Sequence, residues 1–182
     1  MNLVILDRDG VINQDSDEFI KSADEWLPIP GSLEAIGRLN QNGFRVVIAS
    51  NQSGIGRGLF DVSALNAIHA KMHRALAAVG GKVDAIFFCP HAPDDHCDCR
   101  KPKAGLFHQI ADRLAIDLSQ TWSVGDSHRD LLASQAAGCR LMLVRTGKGK
   151  KTLEDGKLPS GTLVFDDLSA AVEHLLAPIE RS

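Results

Sequence analysis

Apolar residues recur along this chain in short runs that break before they reach helical length. The runs are LVIL (3–6), RVVIAS (45–50), VDAIFF (83–88), TWSVGD (121–126), RLMLVRT (140–146) and TLVFDD (162–167). Several lack strict apolar–polar alternation, which predicts strands buried on both faces of a parallel sheet. Helical spacing lies between them. In 31–43, Leu33, Ile36 and Leu39 form one stripe that stops at Asn42-Gly43, a helix C-terminal signal. In 61–81, Leu65, Ile68, Met72, Leu76 and Val79 share a face that ends in Gly-Gly. Further helices are predicted over 104–116, 129–138 and 168–177. This alternation predicts an α/β fold: a Rossmann-like parallel sheet with helices on both faces, one domain over residues 1–182. Ligands bind such sheets beyond the carboxyl ends of the strands. The polar, Gly- and Lys-rich stretch 147–161 reads as a mobile surface loop.

Composition narrows the partners more than the fold. The 182 residues carry a formal net charge of −3, which offers no electrostatic case for nucleic acid or an anionic membrane. The opening MNLVILDRDG has no basic n-region, and Asp7 cuts its apolar run, so it does not read as a signal peptide. No stretch approaches the roughly 20 apolar residues of a membrane span. A cytoplasmic protein with reduced thiols is expected, and clustered cysteines there favour metal or redox chemistry over disulfides.

Chemistry-bearing residues gather where apolar runs end. Asp7 and Asp9 follow the first strand, one residue apart on extended chain, so their carboxylates share a direction. A hard divalent cation between them would make that pairing favourable; an acidic turn bent by Gly10 is the plainer alternative. Ser50 and Asn51 end the second strand and lead into a Gly-bearing loop with Arg57. Hydroxyl, amide and free backbone N–H groups there can hold phosphate oxygens, though a simple Asn/Ser/Gly turn has the same composition. Asp126 ends the fourth strand, and Asp130 follows as an N-cap or first-turn acid. Arg100 and Lys101 precede Pro102 in a loop at the same sheet edge, where a short basic run could also be only a solvated face.

Residues 89–102, CPHAPDDHCDCRKP, hold three of the four cysteines. Cys89, His91, Cys97 and Cys99 form C-x-H-x5-C-x-C, a complete tetrahedral donor set for structural Zn²⁺ with no open position. Zinc would staple a loop that has little core of its own and fix the direction of Arg100 and Lys101. The alternatives are unliganded thiols, a redox pair, or His96 in place of His91. Cys139 opens an apolar strand and reads as a buried small hydrophobe.

As an ordered set, DRDGV (7–11), Ser50, Lys101 and GDSHRD (125–130) resemble the motifs of the haloacid dehalogenase (HAD) superfamily of phosphotransferases. That resemblance implies Mg²⁺ held by Asp7, Asp126 and the backbone carbonyl of Asp9. It implies Asp7 as nucleophile, Asp9 as general acid and base, and Ser50 with Lys101 holding the phosphoryl oxygens. The motif CPH…CDCRKP narrows the likeness to a subgroup of heptose bisphosphate phosphatases and histidinol-phosphate phosphatases with a zinc loop of this kind. The expected substrate is D-glycero-D-manno-heptose 1,7-bisphosphate, a precursor for lipopolysaccharide, losing its 7-phosphate; histidinol phosphate is the alternative. The same resemblance implies substrate contacts from Asp15, Ser16, Asp17, Glu18, Ser50, Asn51, Gln52, Ser53, Arg100, Lys101 and Ser127. There is no room for a cap domain between Gly10 and Gly31 or between 51 and 100, so an open site and a monomer are expected. A DNA 3′-phosphatase is disfavoured by net charge. A non-catalytic phospho-receiver would lack Asp-x-Asp on its first strand, and a zinc interaction module would leave these groups without work.

Overall fold

The structure is a computed structural model, and it describes residues 2–178. The elements run β1 (Leu3–Leu6), α1 (Ser32–Gln41), β2 (Arg45–Asn51), α2 (Ser53–Gly56), α3 (Val62–Ala78), β3 (Ala85–Cys89), α4 (Gly105–Leu114), β4 (Trp122–Gly125), α5 (His128–Ala136), β5 (Arg140–Val144), α6 (Gly149–Asp155), β6 (Leu163–Phe165) and α7 (Leu168–Leu176). Among the described residues six strands form one parallel sheet in the order β3-β2-β1-β4-β5-β6. No described helix is long and apolar enough to cross a membrane.

The period of two along β1 divides the core. Val4 and Leu6 join Leu33, Ile36 and Leu39 of α1, Ile68, Met72 and Leu76 of α3, and Leu168 and Val172 of α7. Leu3 and Ile5 join Leu106, Phe107 and Ile110 of α4 on the opposite face. β1 is therefore covered on both faces, which is why its sequence is apolar without alternation. Burial of this kind is the main stabilising term, about 25 cal/mol per Å² of apolar area.

Three elements differ from expectation. The 147–161 stretch is not simply a loop, because it contains α6. That helix docks by polar contacts: Thr152 Oγ1 donates to the Asp126 carbonyl at 2.9 Å. Gly149 lies so close to Val144 that a Cβ there would sit 1.7 Å from its carbonyl oxygen. The short α2 was not foreseen, and β6 is shorter than its apolar run.

Strand order places β1 between β2 and β4, with the chain crossing from β3 past β1 to reach β4. The carboxyl ends of β1 and β4 thus flank a topological switch point, where parallel sheets bind ligands.

Candidate active site

Asp7 and Asp126 each follow the last residue of a central strand. The Asp7 N–H donates to the Val124 carbonyl at 3.0 Å, so the β1–β4 pairing carries through to the site. Asp126 is enclosed by backbone. Lys148 N–H donates to its Oδ2 at 2.8 Å. A Cβ on Gly10 or Gly147 would stand 2.0 or 2.1 Å from that oxygen, and both glycines have positive φ (84° and 55°).

Asp130, in the first turn of α5, completes the cluster. Carboxylate oxygens of Asp7, Asp126 and Asp130 lie within 4.8 Å of one another. The Oδ2 of Asp130 accepts from Asp126 N (3.1 Å), Ser127 N (3.0 Å) and Ser127 Oγ (2.8 Å), and Ser127 caps the helix in return. Its Oδ1 accepts from Lys101 Nζ at 2.6 Å. Both oxygens are committed to protein donors, and Asp130 lines the pocket together with Asp7 and Asp126. Lys101, 2% exposed, also meets Asp7 Oδ1 at 3.1 Å and donates to the Ala49 carbonyl at 2.8 Å.

The charges explain how these groups titrate. Burial, then the charge of Asp130, raises Asp7 to about 7. Burial, then Asp130 and Asp7, raises Asp126 to about 9. Burial opposes ionisation of Asp130 too, but the Lys101 ammonium outweighs it and holds the group below the usual range. Burial works against the Lys101 charge, and Asp130 with Asp7 more than compensates.

The carboxylate of Asp9 turns away from the cluster. Its Oδ1 accepts from Arg8 Nε (2.9 Å) and Asn13 Nδ2 (2.8 Å), and its Oδ2 from Gln52 Nε2 (3.1 Å). That arrangement commits both oxygens of the Asp9 side chain to protein donors. Four carboxylates, of Asp7, Asp9, Asp126 and Asp130, face two buried cations, Arg8 and Lys101. With all ionised, two negative charges are unbalanced. One divalent cation on hard oxygen donors fits that deficit, and Mg²⁺ is such an ion.

Around this cluster the pocket lining includes Asp15, Ser16 and Asp17, and Asn51, Gln52, Ser53, Arg100, Lys101 and Ser127. Glu18 is exposed and outside the lining. Ser50 is buried; its Oγ accepts from Gln52 Nε2 at 2.8 Å, which leaves its own hydrogen to donate. The carboxamide of Asn51 is engaged by the Lys101 backbone. Arg57, expected as a cation of the loop after β2, lines the pocket, as do Arg129 and Lys148, which stood outside the expected set of contacts. Lys148 is bonded to Asp15 and lies 3.8 Å from Asp17, so it ties that segment to the start of α6. Arg57 stands over the Phe19 ring at 5.7 Å. Arg100 Nη1 is buried without a hydrogen-bond partner, and burial, then the charge of Arg129, lowers its pKa. An anion at the mouth would relieve both. The sequence marks Asp130 as an N-cap or first-turn acid and as the end of GDSHRD; the structure makes it the third residue of a capping box with Ser127, and nothing local in the sequence points to its lysine partner. Arg129 and Lys148 carry no local signal.

The second cluster lies beyond β3. Cys89, His91, Cys97 and Cys99 bring their donor atoms within 4.8 Å of one another. Cys89 and Cys99 sulfurs are 2.9 Å apart, Cys89 and Cys97 3.6 Å, and His91 Nδ1 is 3.2 Å from Cys99. None of the three cysteines is in a disulfide. A tetrahedral zinc site with arms of about 2.3 Å has edges of about 3.8 Å; the Cys89–Cys97 separation is near this and the others are shorter, so it is the donor set, three soft thiolates and an imidazole gathered around one point, that suits Zn²⁺. His96 is not in the cluster. The loop is seated on the pocket wall: a Cβ on Gly56 would meet Pro90 and Ala92 backbone within 2.7 Å, and one on Gly105 would lie 2.2 Å from the Asp98 carbonyl.

Comparison with known proteins agrees with this geometry. The HAD-hydrolase-like family model matches residues 98–171. The D-glycero-beta-D-manno-heptose-1,7-bisphosphate 7-phosphatase of Bordetella bronchiseptica is 61% identical over 176 residues, covering 97% of this chain and 98% of that protein. The protein of the same name from Pseudomonas aeruginosa is 56% identical, with 96% and 98% coverage. Among solved structures, the D,D-heptose 1,7-bisphosphate phosphatase of B. bronchiseptica complexed with magnesium and phosphate superposes with a TM-score of 0.96 at 61% identity, covering 97% of this chain and 98% of that one. The corresponding phosphatase of Burkholderia thailandensis gives 0.79 at 53% identity, with 98% and 100% coverage.

Proposed function

This chain belongs to the HAD-like hydrolase family of the D-glycero-beta-D-manno-heptose-1,7-bisphosphate 7-phosphatases, and on that premise we propose that it removes the 7-phosphate of that sugar bisphosphate through an aspartyl-phosphate. The observation that carries the reading is Asp7 at the end of β1, flanked by Lys101 at 3.1 Å and sharing an oxygen cluster with Asp126. Asp7 and Asp126, with the Asp9 carbonyl, would hold Mg²⁺, which when bound offsets the negative charge on nucleophile and phosphate. An Asp7 oxygen attacks phosphorus, and the bond to the C7 oxygen breaks. Asp9 gives its proton to that leaving oxygen, then takes one from the water that cleaves the acyl phosphate and restores Asp7. Lys101 and the Ser50 hydroxyl hold the equatorial oxygens as charge spreads over them.

The cations Arg57, Arg100 and Arg129 at the mouth support a second phosphate on the substrate over the amine of histidinol phosphate. The names of the relatives support the β anomer. A monomer in the cytoplasm is part of this reading, and the cytoplasm suits its reduced thiols and soluble substrate. The test is phosphate release with Mg²⁺ from both anomers of the heptose bisphosphate and from histidinol phosphate, followed by phosphorus NMR. Selective loss of the 7-phosphate from the β anomer, abolished by Asp7→Asn, is expected. Faster turnover of histidinol phosphate would overturn the substrate, and full activity of Asp7→Asn would overturn the mechanism.

A further inference from the structure

Arg8 stands between the two aspartates of the first motif, is fully buried, and lies outside the pocket lining. Its Nε donates to Asp9 Oδ1 at 2.9 Å, and Nη2 lies 2.8 Å from the same oxygen as an ion-pair contact without hydrogen-bond geometry. Its third nitrogen, Nη1, is 3.1 Å from Nε2 of His69, a residue of α3 that is 8% exposed and also outside the lining. Arginine has donors and no acceptor, so Arg8 donates here and His69 Nε2 accepts. The imidazole is therefore neutral, with its proton on Nδ1. Burial and the Arg8 charge agree, since they lower the histidine to about 4.

Two contacts on one oxygen leave a guanidinium free to pivot about that oxygen. The contact to His69, on an element 61 residues away, removes the freedom. Asn13 shares Oδ1 at 2.8 Å, whereas Oδ2 meets only Gln52 at 3.1 Å among the contacts to described side chains. The proton that Asp9 transfers therefore belongs on Oδ2, and the rotation of the carboxylate decides where it points.

We propose that His69 is a positioning residue for the reaction: by accepting from Arg8 it locks the guanidinium, and through it the direction of the proton on Asp9. The proposal rests on the reading of Asp9 as general acid, so it predicts damage confined to leaving groups that need protonation. The buried apolar alternative is that His69 only fills space and satisfies Arg8, in which case its loss harms every substrate alike.

The experiment compares kcat/KM, which reports steps up to departure of the leaving group, for an alkyl and an aryl phosphate. The alkyl substrate is the heptose bisphosphate, or histidinol phosphate should the heptose not react; the aryl substrate is p-nitrophenyl phosphate, whose leaving group needs no proton. In His69→Leu, the alkyl value is expected to fall by about tenfold or more, the scale of a misplaced catalytic group. The aryl value should fall no more than about threefold, since it escapes the general-acid contribution. His69→Gln, which restores an acceptor, should return the alkyl value to within about threefold of wild type. Equal losses on both substrates, or no loss on either, would overturn the proposal. Wild-type protein inactive on every phosphomonoester would instead defeat the functional reading, and the proposal with it. Wild-type preference for histidinol phosphate would change the substrate and leave the comparison intact.

Discussion

The Asn51 carboxamide pairs with the Lys101 backbone in both directions: Nδ2 donates to the carbonyl at 3.0 Å, and the Lys101 N–H donates to Oδ1 at 3.0 Å. The end of β2 thereby holds the loop that carries the ammonium. Asn51→Ala removes both bonds, each contributing about 1 kcal/mol. Steady-state kinetics should show kcat/KM reduced about tenfold, the usual cost of a small misplacement. Asn51→Asp, which keeps only the acceptor, should fall between the two.

Breaking the Lys101–Asp130 pair should be costly. Asp130→Asn removes a buried charge opposite Lys101, and its amide cannot accept from Asp126 N, Ser127 N and Lys101 together. Loss of one member of a buried pair costs about 3–5 kcal/mol. Urea denaturation should show a lower midpoint with unchanged slope.

Magnesium should stabilise the protein more as pH rises. Without metal, folding raises Asp7 to about 7 and Asp126 to about 9, through burial first. The folded state then holds protons that the unfolded chain has released. Stability of the metal-free protein therefore declines as pH climbs from the ordinary carboxylate range through these values. Mg²⁺ replaces those protons, so the rise in Tm on adding it should be small at pH 5 and large at pH 8. A rise independent of pH, measured by thermal melts with and without chelator, would contradict this.

Zinc should be required for activity without touching substrate. Cys99 is followed directly by Arg100 and Lys101, so loss of the donor set frees both cations. Stripping zinc, or Cys99→Ser, should lower activity by at least about tenfold, in line with the effect of groups that orient a site. Added Mg²⁺ alone should not restore it. Metal analysis should find one zinc per chain in the active protein and none in the stripped form.

The sheet was legible because its strands are apolar on both faces, and the zinc donors because four ligands crowd eleven positions, 89–99. Asp7, Asp9 and Asp126 were legible because carboxylates at strand tips break apolar runs. Contacts over long separations were not. The contact of Arg8 with His69 spans 61 residues, and α6 has little apolar pattern because Thr152 and Gly149 dock it to Asp126 and Val144. Asn51 reads as a phosphate ligand until its amide is seen engaged by Lys101, 50 residues on.

Gly10 and Gly147 close on the Asp126 carboxylate from two separate loops, with no space for a methyl group on either side. Neither supplies a functional group to the chemistry. In a complete substitution survey of this protein, both positions should nevertheless tolerate as little change as the nucleophile itself. Intolerance would there record the volume a carboxylate occupies, so ranking positions by sensitivity alone would enlarge the apparent catalytic machinery by two residues whose role is to be absent beyond Cα.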